Sequence, residues 1–429
     1  MIDHEVFQRL RRIRQLGLTE LVYPGATHTR FEHALGTMHF ATKMSEAIVN
    51  RQKPYLVSER GYDQAGSGIE RDKRVVRFAA LLHDVGHSPF SHSGESLFPM
   101  NEDMGRRFQH EDYSSSIIRT ILREAIEDHQ NNDNHGITAD DVADLIDGEP
   151  TSGNSASARR MIWRPLISSQ LDADRCDYLL RDSLHAGVSY GRYDLDRILV
   201  TLTLGLNESD DPVVAIEEGG WHAAEGLILA RYMMFTQVYF QHTRLALDHH
   251  IEQVLTTLLG APRSPGSEPV EPYFPLPTSP ASLREYVKWD DWKVLGHIAD
   301  GEAGDHGQHI LQRDLYKSVK QTNEAMTQTE MDLIDTIIQK LGSLVGFVSD
   351  ATKSWYSLGD QDLQIVPNDT TLPQPGRPLS QFSRVVANLS PVAKQSIYVH
   401  PSNRMEANRI IAEIEKGVRN EVASIKSET

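Results

Sequence analysis

A mainly α fold is predicted: a helical core over residues 1–260 with one small β-hairpin, then a smaller mixed α/β lobe over 283–429. Three observations carry this. Apolar residues recur at three- and four-residue spacing through the first part of the chain. One pair of β-like runs flanks a turn-rich stretch inside it. The segment Ala261 to Ser282, with seven prolines plus a glycine and serines, reads as a loop or linker between the two parts.

The helical periodicity is clearest in Phe78-Ala79-Ala80-Leu81-Leu82, in Ile117-Ile118 with Ile121-Leu122, and in Leu227-Ile228 with Tyr232-Met233. The hairpin is expected from Ile198 to Leu204, a turn at Asn207 to Asp211, and Val213 to Ile216. Gly61 to Gly68, Gln130 to Gly136 and Asp147 to Ser157 look like surface excursions. Beyond 283, helices are expected at Met331 to Val345 and Arg404 to Lys416. Strands are expected near Leu363 to Val366 and Ile397 to His400. No repeat with a period of 20 to 50 residues is evident.

The 429 residues carry 43 basic and 60 acidic side chains, a formal net charge of −17. A global field of that sign repels polyanions, so an anionic ligand must be held by locally placed arginines, lysines or a metal. This argues against a nucleic-acid polymer and for a small phosphorylated substrate. No apolar run is long enough for a membrane span, which argues against a membrane partner. A single cysteine, Cys176, excludes an internal disulfide, and with no signal-peptide pattern at the start the expected location is the cytoplasm.

Four elements stand out as metal chemistry: His33 in Arg30-Phe31-Glu32-His33, the doublet His83-Asp84, the run His87 to Glu95, and Asp174. Imidazoles and carboxylates together suit Mg, Mn, Fe, Co or Zn with positions left for water and phosphate. Each piece alone has an ordinary structural explanation; a lone His-Asp pair is mostly structural. The ordered set, with the turn Gly86-His87-Ser88-Pro89-Phe90 holding His87 and His92 near the doublet, is much more specific. The apolar run ending Leu81-Leu82 is expected to deliver the doublet on a buried helix, His83 and Asp84 standing about 100° apart.

At these residues the chain resembles the HD-domain deoxynucleoside triphosphate triphosphohydrolases. The matching pieces are Gln15-Leu16-Gly17, Tyr23 to His33, His83 to His92, Leu171 to Asp182, and the helix Arg231 to His250 with Val238 to Arg244. The resemblance implies an HD-domain helical core and a divalent metal held by His33, His83, Asp84 and Asp174. It implies His92 and Glu95 as an acid/base pair and His110 as a further active-site histidine. Arg30 and Arg175 would bind phosphates with His87 close by, while Gln15, Leu16, Tyr178 and Asp182 would pack on the deoxyribose. Tyr239 and His242 are candidates for the same pocket. A dNTP substrate (dGTP among the candidates), activation by a second nucleotide, and a homo-oligomer of four or six copies are further implications.

The expected reaction is water attack on the α-phosphorus, releasing deoxynucleoside and triphosphate. The departing 5′-oxygen needs a proton, which a histidine near neutrality supplies. His92 is the first choice and His110 the alternative; the sequence does not separate them. Two other readings stand beside this one: an HD phosphodiesterase or nuclease, and a nucleotide-sensing scaffold that binds without turnover.

Overall fold

The computed structural model describes residues 1–153, 155–207, 209–261, 271–324, 326–353, 356–389 and 392–428. Its organising element is the helix Arg30–Ser58, whose buried side chains Phe31, His33, Ala34, Thr37, Ala41, Met44 and Ile48 fall at helical spacing. The helix starts where Glu32 reaches back to the Thr29 backbone N–H and hydroxyl, closing a capping box. Pro54 removes a backbone donor near its end, and Gln52 departs from helical geometry (φ −121°, ψ 21°). The buried Gln52 amide pairs instead with both backbone groups of Leu204, at 3.0 and 2.8 Å, pinning a strand to the kink.

The helices Ser67–Leu82 and Ala173–Ala186 pack on this central one, and His110–Thr120 packs on Ala139–Asp147. The helix Ser67–Leu82 stops one residue before the expected doublet: His83 caps it, and residues 83–87 form a turn. Ser114 fixes that turn by donating to the His83 carbonyl and accepting the Gly86 N–H at 2.9 Å. The doublet therefore sits at a helix end and not, as the periodicity suggested, on helical faces 100° apart.

The hairpin forms as Leu202–Leu206 against Pro212–Glu217, antiparallel. Residues 198–201, expected to begin it, belong instead to the helix Leu195–Thr201, whose start is fixed by the Asp194 carboxylate accepting the Arg197 N–H. Gln364–Val366 joins the hairpin in parallel and Arg377–Pro378 completes a four-stranded sheet. A second sheet runs Lys317–Gln321, Val392–Val399, Val345–Lys353. The helix expected to reach Val345 ends at Leu341, and Val345 opens a strand. The last helix, Arg404–Glu428, runs well past Lys416. The small core of Ile334, Ile337, Leu341, Ile397, Val399, Ala407 and Ile411 belongs to this C-terminal part, while Phe274, Leu283, Tyr286, Val294 and Ile298 join the main core. Of the Pro-rich stretch, 262–270 lies outside the described residues, 271–279 carries no helix or strand, and Pro280–Tyr286 is helical. The mainly helical class with a mixed C-terminal part is as the sequence predicts.

The Arg231-to-His250 helix is not continuous. Trp221–Met234 runs into a π-helical turn, Phe235–Tyr239, and a new helix starts at His242, capped by Gln241.

Gly86 lies so close to the next helix that an added Cβ would stand 2.3 Å from the His110 carbonyl oxygen and 2.4 Å from the Ser114 nitrogen. Backbone cannot yield as a side chain does, so Gly86→Ala is expected to cost about 3 kcal/mol, read by denaturant unfolding.

Candidate active site

His33 projects from the first turn of its helix into the interface with Ala173–Ala186 and is fully buried. Its Nε2 lies 3.0 Å from Asp174 Oδ1 and 3.5 Å from Asp84 Oδ2; its Nδ1 lies 2.8 Å from Asp177 Oδ2. His83 Nε2 stands 3.2 Å from Asp84 Oδ1 and 3.7 Å from Asp174 Oδ1, while its Nδ1 meets the Ala80 carbonyl at 2.8 Å. Both rings thus turn Nε2 toward the two carboxylates and use Nδ1 to hold their orientation, the pattern of metal-ligating histidines. Burial opposes charge on His33, yet hydrogen bonds to Asp174 and Asp177 raise it to about 10. Asp84 and Asp174 stay ionised despite burial, held by Arg30 and by the two histidines respectively. Apart from these carboxylate contacts, His83 Nε2 is buried without a well-formed hydrogen bond among the described residues. An imidazole nitrogen facing one buried carboxylate, Asp84, and one that opens onto the cavity, Asp174, fits a divalent cation, and His33, His83, Asp84 and Asp174 are the residues that would hold it.

Next to this set is a second cluster of His87, His92, Glu95 and His110. The Glu95 carboxylate binds two rings through one oxygen, His110 Nδ1 at 2.7 Å and His92 Nδ1 at 3.0 Å. His87 stacks on His110 with centroids 3.8 Å apart and approaches Asp84 at 3.3 Å, which links the two clusters. The stacked rings have opposite character. Burial, then Arg30 and His110, keep His87 well below the ordinary imidazole range. Burial works against charge on His110 too, but Glu111 and Glu95 lift it to about 9. The His92 side chain is 52% exposed, His110 only 16%.

Both clusters border a cavity of about 730 Å³. Gln15, Leu16, Arg30, Asp84, His87, His92, His110, Asp174, Arg175, Tyr178, Asp182 and Tyr239 line it, with His33, His83 and Glu95 bonded to or beside lining residues. Gln15 and Arg30 share the cavity wall because residues 13–15 pair with 28–30: the Gln15 N–H donates to the His28 carbonyl at 3.1 Å and the Arg30 N–H to the Ile13 carbonyl at 2.9 Å. Asp182 is buried and accepts from Tyr239 Oη at 2.7 Å, with His28 Nε2 at 2.8 Å. His242 is not brought in: the break after Tyr239 turns it outward, exposed, and it is absent from the cavity lining among the described residues.

Several site residues escaped the sequence reading. Asp177 orients His33, and its three-residue spacing from Asp174 on one helix was an available signal. Gly36 had none: an added Cβ there would lie 1.8 Å from Asp177 Oδ1, so only glycine lets that carboxylate reach His33. Arg231 and Arg244 line the cavity, and each buries an Nε with no hydrogen-bond partner among the described residues, as does Arg175. Phe235, Phe240 and, from the C-terminal sheet, Phe347 to Asp350 complete the wall.

The HD domain model matches residues 30–182, which span all four candidate metal ligands. The uncharacterized protein YwfO of Bacillus subtilis (strain 168) is 31% identical over 414 residues, covering 91% of this chain and 84% of that protein. The chain belongs to the HD-domain family. A crystal structure of a hypothetical protein from Aquifex aeolicus matches this HD protein with a TM-score of 0.71 at 26% identity, over 96% of this chain and 94% of the other. The deoxynucleoside triphosphate triphosphohydrolase SAMHD1 homolog of Dictyostelium discoideum is 35% identical over 198 residues, 44% of this chain. The HD chain spans about a third of that longer relative, 33% of its length. Hydrolase chemistry of the HD type and a divalent-metal site follow from this membership and from the His/Asp clusters.

Two outcomes follow for the site. In Gly36→Ala the displaced Asp177 no longer orients His33, and Mn²⁺ affinity is expected to fall about 10- to 100-fold by isothermal titration. The sign for His110 is that of a group raised on folding, from 6.5 to about 9. Its contribution to stability is full below pH 6.5 and is lost as pH rises through 9. Melts of the metal-free protein should show this decline, and His110→Gln should flatten it.

Proposed function

We propose that this HD protein is a metal-dependent deoxynucleoside triphosphate triphosphohydrolase, converting a dNTP and water to deoxynucleoside and inorganic triphosphate. The observation that carries the reading is one cavity shared by two kinds of unmet demand. On one side carboxylates and an imidazole nitrogen without a well-formed hydrogen bond call for a cation; around it Arg175, Arg231 and Arg244 bury guanidinium nitrogens that lack an acceptor among the described residues. A ligand carrying several phosphate oxygens answers both. The relative named as a deoxynucleoside triphosphate triphosphohydrolase supports the same substrate class.

A divalent cation held by His33, His83, Asp84 and Asp174 would offset phosphoryl charge and make water a better nucleophile. The chain's own residues do the rest. Arg30 and Arg175, both lining the cavity, bind phosphate oxygens, and Arg231 and Arg244 extend that charge. The Asp182–Tyr239 pair, with Gln15, Leu16 and Tyr178, packs on the sugar, where a second hydroxyl would need room and a partner. Water adds to the α-phosphorus, the bond to the 5′-oxygen breaks, and that oxygen takes a proton from His92; the proton the water gives up passes to solvent, from which His92 is reprotonated, so the cycle closes. The exposed His92 ring reaches the cavity while Glu95 holds its Nδ1. Against its burial, His92 and then His110 on the same carboxylate keep Glu95 ionised.

A dNTP panel, given singly and in pairs with Mg²⁺, Mn²⁺ or Co²⁺, is expected to yield triphosphate and deoxynucleoside; mononucleotide release from single-stranded DNA without triphosphate would overturn the reading in favour of a nuclease. His92→Ala should lower kcat about 10²- to 10⁴-fold while Mn²⁺ still binds. Near-normal turnover would remove His92 from the acid role and pass it to His110.

A further inference from the structure

The loop His87 to His92 is held in a conformation it would not keep alone. Phe90 and Ser91 are consecutive non-glycine residues with φ of 57° and 60°. Side chains rarely adopt that region, and they persist there only when the surroundings hold them. The holding groups come from far along the chain, beyond the Pro-rich stretch. The buried Asp291 carboxylate accepts the Phe90 N–H at 2.7 Å through one oxygen and the Arg14 N–H at 2.8 Å through the other. Tyr286 Oη donates to the Gly86 carbonyl at 2.6 Å. Arg9, also buried, donates through Nη2 to the His87 carbonyl at 2.8 Å and to the Trp289 carbonyl at 2.7 Å. The six-residue segment 286–291 thus grips the backbone of the His87 loop and of the strand-like stretch that carries Gln15.

We propose that Asp291, seconded by Tyr286, is a positioning residue that sets the catalytic loop against the sugar-facing edge of the cavity. It touches no reacting atom. Its two carboxylate oxygens fix the spacing between Phe90, two residues before His92, and Arg14, next to Gln15. This rests on the hydrolase reading, since it makes the loop's geometry matter for turnover. A catalytic group displaced by an ångström loses rate steeply.

The test uses the full-length metal-loaded protein and three variants. Asp291→Asn keeps volume and one acceptor oxygen but turns a second donor on a backbone N–H. Tyr286→Phe removes only the hydroxyl. Arg12→Ala breaks the partly exposed 2.6 Å ion pair to neighbouring Asp290 and serves as the control. With Asp291→Asn, kcat is expected to fall about 10²-fold at temperatures well below its melting point, with Mn²⁺ affinity unchanged. Tyr286→Phe should show a smaller loss of the same kind, and Arg12→Ala none. Hydrogen exchange over residues 85–92 should quicken in Asp291→Asn with metal still bound, a readout independent of which ester is cleaved. Wild-type exchange together with wild-type kcat overturns the proposal, as does a kcat loss that only tracks the unfolded fraction. A wild-type protein that releases no triphosphate from any dNTP overturns the substrate reading instead, and the exchange measurement then still decides the role of Asp291.

Discussion

Three carboxylates crowd one buried imidazole, and much of the molecule is arranged to tolerate that. Asp84, Asp174 and Asp177 all lie within 3.5 Å of a His33 nitrogen; Asp84 and Asp177 are buried with it, and Asp174 opens onto the cavity. Uncompensated, such a group of charges would not stay ionised. Arg30 answers Asp84, and Arg181 binds Asp177 at 2.7 and 2.8 Å; a cation completes the balance. The tight approach of two helices at Gly36 serves the same demand, because it lets the Asp177 carboxylate reach His33.

A second consequence is that neighbouring titratable groups are pushed apart. His87 and His110 stack face to face, yet one faces Arg30 and the other Glu95 and Glu111. The pair therefore sets a ring held neutral against one held charged, because their surroundings push the two apart. Glu95 takes its role from geometry: a single oxygen serving two histidines couples the exposed His92 to the buried His110.

The cavity is also a junction. Its metal-side wall comes from the matched HD residues, its arginine wall from the helices around the π-helical turn, and its far rim from a strand of the C-terminal sheet. Sequence-distant pieces meet there because the main core draws in Phe274, Leu283 and Tyr286 from beyond the Pro-rich stretch. That packing brings Asp291 under the His87 loop and offsets the strain at Phe90 and Ser91.

The sequence by itself determined the helical class, the existence of the hairpin, and the set His33, His83, Asp84 and Asp174 as metal-binding candidates. Those are carried by local periodicity, by turn residues, and by donor types whose chemistry is the same in any fold. Only the tertiary structure decided how they meet. Periodicity put His83 and Asp84 on helical faces, but Ser114 and the close approach at Gly86 end the helix before them. A continuous pattern from Arg231 to His250 concealed a π-helical turn that keeps Tyr239 on the cavity and sends His242 outside. Gly36, Asp177 and Asp291 act through partners 141, 144 and 201 residues away in sequence, such as Asp177, His33 and Phe90 respectively. No window of residues contains both members of such a pair, because burial and hydrogen bonding across the core, and not local preference, set their positions.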